Sequence, residues 1–173
     1  MVTVSPSGNT TAAVTYTPIA TNTLGSAAAS VTFSSIAGTY TDLVLITNPS
    51  STTDPQSIYI QFNSDTGTNY SRTVVYGDGS TAASSRDGTY NYIRMGYNTG
   101  GQTANITQIQ NYSNATTYKS TLSRSNTVGG SAGYVYASVG LWRSTSAITT
   151  LLVGVDSGTF ATGSTFTLYG IGA

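Results

Sequence analysis

Residues that favour α-helices are nearly missing from this chain, and this limits the folds that are open to it. Glutamate is absent, Lys119 is the only lysine, and most alanines lie beside serine or threonine. Serine and threonine together account for 56 of the 173 residues, and β-branched and aromatic residues recur in short runs. Because straight-chain residues favour helices whereas β-branched and aromatic residues favour strands, the sequence predicts an all-β protein.

Short apolar runs separated by Gly, Asn and Asp mark the predicted strands. Regular spacing of such runs, with no helical segments between them, is typical of a β-sandwich or a jelly roll. We therefore predict an antiparallel, jelly-roll-like β-sandwich of about ten strands. The segments that carry the strand pattern are 13–19, 27–36, 40–47, 57–62, 70–76, 90–97, 104–112, 118–124, 134–142, 148–155 and 165–171.

Alternation within these segments indicates which side chains share a face. Ile58, Ile60 and Phe62 lie on one face of their strand, since neighbouring side chains point to opposite sides. In segment 134–142 one face is aliphatic, which we expect to lie against a core, and the other is polar and aromatic. The aliphatic set is Val135, Ala137, Val139 and Leu141, and the opposing set is Tyr134, Tyr136, Ser138 and Trp142.

The length of 173 residues is usual for one domain. We predict an amino-terminal arm over 1–12, which is rich in small polar residues, and a single β-sandwich domain over 13–173. The arm is either a docking segment or a frayed terminus. The longest predicted loop covers 80–88.

Charge and residue types exclude several functional classes from our expectations. Six basic and six acidic residues give a formal charge of zero, so we expect no nucleic-acid partner. The first residues lack the basic and apolar regions of a secretory signal, and the apolar runs are too short for a membrane span, so we expect neither export nor a membrane partner. The chain has no His and no Cys, so triad nucleophiles and the usual zinc ligands are unavailable. We predict no enzymatic activity, no cofactor and no metal.

The aspartates are the remaining candidates for chemistry. Asp65-Thr66-Gly67 matches the active-site triplet of aspartic proteases, but polar residues precede it where that family has apolar ones, and a tight turn explains it at least as well. Asp65, Asp78 and Asp87 carry oxygen ligands suited to calcium. They do not form a dense calcium-binding loop in the sequence.

Tyrosine is the most distinctive residue, with 13 copies. Tyr90, Tyr92 and Arg94 are predicted to share one face of a single strand, with Tyr97 on the other face. Tyrosine gives binding surfaces rigid contact area together with a polar hydroxyl, so we treat these four residues as a candidate surface for contact with protein or sugar. The alternative is that they fill the rim of the sandwich. At the end of segment 134–142, Trp142 is expected to be buried and Arg143 to pair with an acid such as Asp42.

Several strings, spread over most of the chain, form a pattern that we recognise. They are 16–25, 31–36, 40–45, 110–114, 121–125, 140–149 and 163–171. These strings resemble the small β-sandwich virion proteins of tailed bacteriophages, especially those of cyanobacteria and other aquatic hosts. The resemblance spans nearly everything from Tyr16 to Ile171. One departure is Ala37, where the family pattern leads us to expect proline.

The resemblance implies a structural role in a virion. It leads us to expect a capsid decoration (cement) subunit, homotrimeric, that binds the major capsid protein on the outer capsid surface after synthesis in the host cytoplasm. The alternative that it implies is a tail or fibre adhesin module that binds host surface glycans. The family supplies no catalytic residues.

Overall fold

The computed structural model describes residues 2–4, 10–12, 16–51, 56–129 and 133–172, and every regular element in these ranges is a β-strand. This confirms the predicted all-β class. Within the same residues there is no helix with the length and apolar character needed to cross a membrane. The strands are β1 (Val2–Val4), β2 (Thr10–Ala12), β3 (Tyr16–Thr23), β4 (Ser30–Phe33), β5 (Asp42–Asn48), β6 (Gln56–Phe62), β7 (Tyr70–Gly77), β8 (Ala82–Tyr90), β9 (Ile93–Asn98), β10 (Gln102–Gln110), β11 (Lys119–Val128), β12 (Tyr134–Trp142), β13 (Leu151–Val155) and β14 (Thr165–Ile171).

Two antiparallel sheets form the sandwich, as predicted. The described strands give an eight-stranded sheet in the order β3-β14-β5-β10-β11-β12-β7-β8 and a four-stranded sheet in the order β4-β13-β6-β9. Among the described strands, β1 and β2 pair only with each other, within the predicted arm. The rest of the arm, residues 1 and 5–9, lies outside the described residues. The separate arm and the jelly-roll connectivity both stay predictions.

The apolar core lies between the two sheets. From the four-stranded sheet, β6 contributes Ile58, Ile60 and Phe62, all fully buried, which confirms the predicted inward face of that strand. From the larger sheet, Leu43 and Leu45 of β5 meet them and are likewise fully buried. Each such side chain stabilises the fold by about 1.5–3 kcal/mol relative to an exposed one.

The predicted inward face of β12 is wrong: the polar and aromatic set faces the interior, and the aliphatic set faces outward. Trp142 and Tyr136 are 2% and 9% exposed, whereas Val135 and Val139 are 67% and 56% exposed. The buried side of β12 therefore cannot be identified from hydrophobicity alone.

Close approach of β9 to the larger sheet explains this arrangement. A Cβ added to Gly140 would lie 2.5 Å from Cγ2 of Ile93, and one added to Gly96 would lie 2.3 Å from Oγ of Ser125. Only small side chains fit in this part of the interior, and some of their hydroxyl groups bond to one another. For example, the side-chain oxygens of Thr107 on β10 and Ser123 on β11 lie 2.9 Å apart. The hydroxyl groups of Thr121, Ser125 and Ser138, in contrast, have no partner among the described residues.

Two further local predictions are wrong. Most of segment 80–88 is not a loop but belongs to β8, which pairs with β7 at the edge of the larger sheet. Most β8 side chains are exposed, so the strand shows no apolar alternation. Arg143 does not pair with Asp42: its guanidinium donates to the carbonyl of Gly88 at 2.6 Å, while Asp42 accepts a hydrogen bond from the backbone of Asn111.

Candidate functional site

The four predicted contact residues lie near one another but do not share a strand. Tyr90 ends β8, Tyr92 lies in the connection to β9, and Arg94 and Tyr97 belong to β9. The prediction that Tyr90, Tyr92 and Arg94 occupy one strand is wrong, because a bend at residues 91–92 separates β8 of the larger sheet from β9 of the smaller one. The side chains nevertheless lie close together.

Ring contacts join these residues to one another and to the four-stranded sheet. The Tyr92 hydroxyl donates to that of Tyr90 at 3.4 Å, and the Tyr92 ring stacks on Tyr59 of β6 with centroids 4.2 Å apart. The guanidinium carbon of Arg94 lies 6.0 Å from the ring centroid of Tyr97. Burial and hydrogen bonding to Tyr90 raise the pKa of Tyr92 to about 12, although Arg94 acts in the opposite direction.

A cavity opens beside this group, where the larger sheet extends past the edge of the smaller one. Strand β9 forms that edge and packs against β10, β11, β12 and β7. The inward faces of the outermost strands therefore line a cavity of about 250 Å³, which we call the tyrosine–arginine cavity. Its lining residues are Arg72, Val74, Tyr76, Ser85, Arg94, Tyr97, Tyr134 and Tyr136.

Four tyrosines form a continuous aromatic wall in this cavity. Tyr136 contacts the rings of Tyr76, Tyr134 and Tyr97 at centroid distances of 5.5, 5.6 and 6.3 Å. Burial, reinforced by the neighbouring phenols, raises the pKa of Tyr136 to about 12. This phenol is therefore neutral at physiological pH, and it offers both a hydrogen-bond donor and an acceptor.

Two arginines give the cavity its charge. Arg72 is 5% exposed, and one terminal nitrogen of its guanidinium pairs with Asp87 at 2.7 Å across the β7–β8 register. Burial lowers the pKa of Arg72, as does the positive charge of Arg94, and Asp87 opposes both effects. Burial also lowers the pKa of Arg94, but hydrogen bonding to Tyr92 together with the charges of Asp87 and the neighbouring phenols outweighs it, and the net shift is upward.

Both guanidinium groups have unused hydrogen-bonding capacity. The Nε atom of Arg72 and that of Arg94 are buried and have no partner among the described residues. An unpaired buried donor costs about 1–3 kcal/mol, and more when it is charged. Because only Asp87 balances the two arginines here, the group keeps one net positive charge. The arrangement suits the binding of an anionic or strongly polar group.

Sequence reasoning finds only part of this site. Arg94 and Tyr97 line the cavity, but Tyr90 and Tyr92 do not, and Arg72, Tyr76 and the tyrosines of β12 were missed as site residues. The available signal is alternation: Arg72 and Tyr76 share a face of β7, and Tyr134 and Tyr136 share a face of β12. Only the cross-strand pairing of Tyr76 with Tyr136 shows that the two faces meet.

A second notable surface lies on the opposite side of the larger sheet. Solvent-facing aliphatic side chains on β7, β10, β11 and β12 form what we call the outer aliphatic face. Its most exposed members on β12 are Val135 and Val139, and Val75 on the adjacent β7 is 57% exposed. The other members are Ile106 and Leu122 at 38% and 41% exposure.

The aspartates considered for catalysis or calcium binding have structural partners. Asp65 accepts hydrogen bonds from Nε1 of Trp142 at 2.7 Å, from Nδ2 of Asn69 and from the backbone of Gly67. Burial tends to raise its pKa, but these hydrogen bonds outweigh it and the net shift is downward. Asp78 accepts from two backbone amides in the β7–β8 turn. No group of three or more His, Cys, Asp or Glu residues converges on a metal position among the described residues.

Comparison with known proteins adds no relatives to this description. No protein-family model matches the chain, and a search of curated proteins gives no match.

Proposed function

We propose that this chain is a non-catalytic structural subunit of a bacteriophage virion that assembles as a homotrimer and decorates the outer capsid surface. The subunit stabilises contacts between neighbouring major capsid proteins. The sequence resemblance supports the virion role. The observation that carries the assembly role is the outer aliphatic face.

The outer aliphatic face has the chemistry of an association surface. Large exposed apolar patches are uncommon on monomers and mark sites of protein interaction. Its members Val75, Val135 and Val139 are each more than half exposed. The occupant that we assign to it is a second copy of this chain, because a protein of zero net charge does not repel its own copy. In a trimer the face lies against a different surface of the next copy, since a contact of the face with itself would close as a dimer.

The size of the face is compatible with one such contact. Four strands of about nine residues, at a spacing of about 4.8 Å and a rise of about 3.4 Å per residue, span roughly 600 Å². A standard protein interface buries about 800 Å² on each partner. The face thus supplies most of one interface, and the rims of the strands supply the remainder.

Sedimentation velocity on the purified full chain tests the assembly. We expect a trimer for the wild-type chain and a monomer for the variant carrying Val135→Asp and Val139→Asp, because two buried carboxylates oppose apolar association. The matched control is Thr32→Asp on the exposed side of β4, which should remain trimeric. A monomeric wild-type chain, or a trimeric double variant that keeps its circular dichroism spectrum, contradicts the proposal.

Mass spectrometry of purified virions tests the capsid position. A decoration subunit is present in many copies per particle, in a fixed ratio to the major capsid protein. A few copies per particle would instead indicate a tail or fibre component and would overturn the capsid role.

The tyrosine–arginine cavity favours a second candidate function, an adhesin module that binds host surface glycans. Tyrosines with neutral hydroxyls and a few convergent polar groups are typical of small-molecule sites. Binding to a glycan array tests this function. The binding should fall in the variant Tyr97→Ala, which changes a cavity residue, and should persist in Tyr118→Ala, which changes an exposed residue of the β10–β11 connection. An array on which the protein binds no glycan would count against this function.

A further inference from the structure

The tyrosine–arginine cavity contains an unusual combination of a neutral aromatic wall and unpaired cationic donors. Tyr76, Tyr97, Tyr134 and Tyr136 supply the wall, and Arg72 and Arg94 supply the donors. Apolar rim packing alone would not require two guanidinium groups in one small cavity. Arg72 pairs with Asp87 and Arg94 bonds to Tyr92, but each keeps a donor that these contacts do not use.

Unused hydrogen-bonding capacity points to an anion. Arg72 is 95% buried, and its link to Asp87 occupies one terminal nitrogen while Nε stays without a partner among the described residues. Nε of Arg94 is also buried without a described partner. Arginine presents several donors in a fixed plane that matches the oxygens of a carboxylate or a sulfate. One acid, Asp87, faces both arginines, so the positive charge is not fully balanced.

The aromatic wall and the size of the cavity restrict the rest of the ligand. A volume of about 250 Å³ lies below the range of about 300–1,000 Å³ that encloses drug-sized molecules, so it suits one ring rather than a chain of several. Tyrosine rings offer flat contact area, and their hydroxyls can bond to ring substituents. A single sugar residue meets both conditions.

We propose that the tyrosine–arginine cavity binds one acidic sugar residue, with its carboxylate or sulfate group on Arg94 and Arg72 and its ring against the tyrosines. The inference rests on the saccharide-binding candidate function and narrows its ligand class. It is independent of assembly through the outer aliphatic face, which lies on the opposite side of the same sheet.

An NMR titration of the full chain with four probes tests the proposal. The probes are glucuronic acid, glucose 6-sulfate, glucose and sodium sulfate. Their binding is followed through the chemical shifts of backbone amides on β7, β9 and β12. We expect glucuronic acid or glucose 6-sulfate to bind at least about tenfold more tightly than glucose, because hydrogen bonds to charged groups contribute more than neutral ones. The binding should weaken when the salt rises from about 20 mM to about 300 mM.

Three variants identify the contributing groups. Arg94→Gln should lower the affinity for the acidic sugars at least about tenfold, towards that of glucose. Tyr134→Ala should weaken the binding of all three sugars but leave the binding of sodium sulfate unaffected. Arg86→Gln is the matched control, since Arg86 is an exposed arginine of β8 that does not line the cavity, and its affinities should equal those of the wild-type chain.

Each outcome bears on a different claim. Equal binding of glucose and the acidic sugars overturns the acidic preference but leaves the saccharide-binding function standing, whereas no binding of any sugar overturns both. Sodium sulfate that binds as tightly as glucose 6-sulfate overturns the sugar assignment. If the NMR spectrum of Arg94→Gln loses its dispersion, that variant is unfolded. The salt dependence of binding to the wild-type chain and the Tyr134→Ala data then decide whether the acidic sugar binds in this cavity.

Discussion

Asp65 shows how a residue with a catalytic sequence signature serves the fold. Its carboxylate holds the turn after β6 through Gly67 and Asn69, and it reaches across to the indole of Trp142 at the end of β12. Hydrogen bonds to the charged carboxylate favour ionisation, which is why the net shift of its pKa is downward despite partial burial.

Acid titration of Trp142 fluorescence should report on Asp65. Because the folded state lowers the pKa of Asp65, its stabilisation is present above about pH 3.9, the ordinary aspartate value, and disappears as the pH falls through the lower folded value. The fluorescence of Trp142, the only tryptophan, should therefore change with a midpoint below about 3.9.

Two variants check the assignment of that transition. Asp65→Asn should remove it, whereas Asp78→Asn, in the β7–β8 turn, should leave it unchanged. A midpoint at or above the ordinary aspartate value, or an unchanged transition in Asp65→Asn, would refute the structural role of this carboxylate.

At the scale of elements, the spacing between β9 and the larger sheet determines which side chains the interior accepts. Gly96 and Gly140 allow the sheets to approach, and serine and threonine fill the remaining space. Extra volume at these positions has to be accommodated by moving Ile93 or Ser125. Overpacking of this kind typically costs about 1–3 kcal/mol.

Alanine substitution at two glycines tests this spacing. Gly140→Ala should lower the free energy of unfolding by about 1–3 kcal/mol, because the new Cβ would lie 2.5 Å from both Ile93 and Thr121. Gly25→Ala is the control: no atom lies within 4 Å of its added Cβ, so we expect a change within about 0.5 kcal/mol. Chemical denaturation measures both, and equal losses would contradict the packing argument.

The elements also show what sequence reasoning could and could not predict. Strand β6 was predicted correctly because its alternating Ile58, Ile60 and Phe62 face a thick apolar core. Strand β8 was missed because both of its faces are largely polar and exposed. On β12 the alternation was visible, but the inward face depended on the width of the gap opposite Gly140, a property of strands distant in sequence.

At the scale of the whole molecule, the larger sheet separates two surfaces with different chemistry. The tyrosine–arginine cavity lies on its inward side and the outer aliphatic face on the other, although β7 and β12 contribute to both. The candidate site could be predicted only where its residues are close in sequence, as with Arg94 and Tyr97. The contributions of β7, β8 and β12 depend on sheet order and register, which no local pattern encodes.

Alkaline unfolding should reflect the buried tyrosines of the molecule. Burial raises the pKa of Tyr70, Tyr92 and Tyr136 to about 12 each. An unfolded tyrosine ionises near pH 10, so stability should be intact below about pH 10 and should be lost progressively between about pH 10 and pH 12. Urea denaturation across this pH range measures the loss.

A pair of tyrosine variants provides the comparison. Tyr136→Phe should flatten the dependence of stability on pH above about pH 10, because the phenylalanine ring cannot ionise. Tyr118→Phe, at an exposed position, should leave the dependence as it is in the wild-type chain. An identical alkaline profile for both variants would contradict the contribution of buried tyrosines.

The pairing of β3 with β14 has a consequence for the connectivity of the sandwich. Tyr16 and Ile171 are register partners in neighbouring antiparallel strands. A turn of two to four residues, such as one built on Asn-Gly, is about the length that joins such strands in a hairpin. The sandwich is therefore suited to circular permutation: covalent closure between residues 172 and 16 would allow new termini in the exposed turn at residues 78–81 while every strand pairing of both sheets is kept.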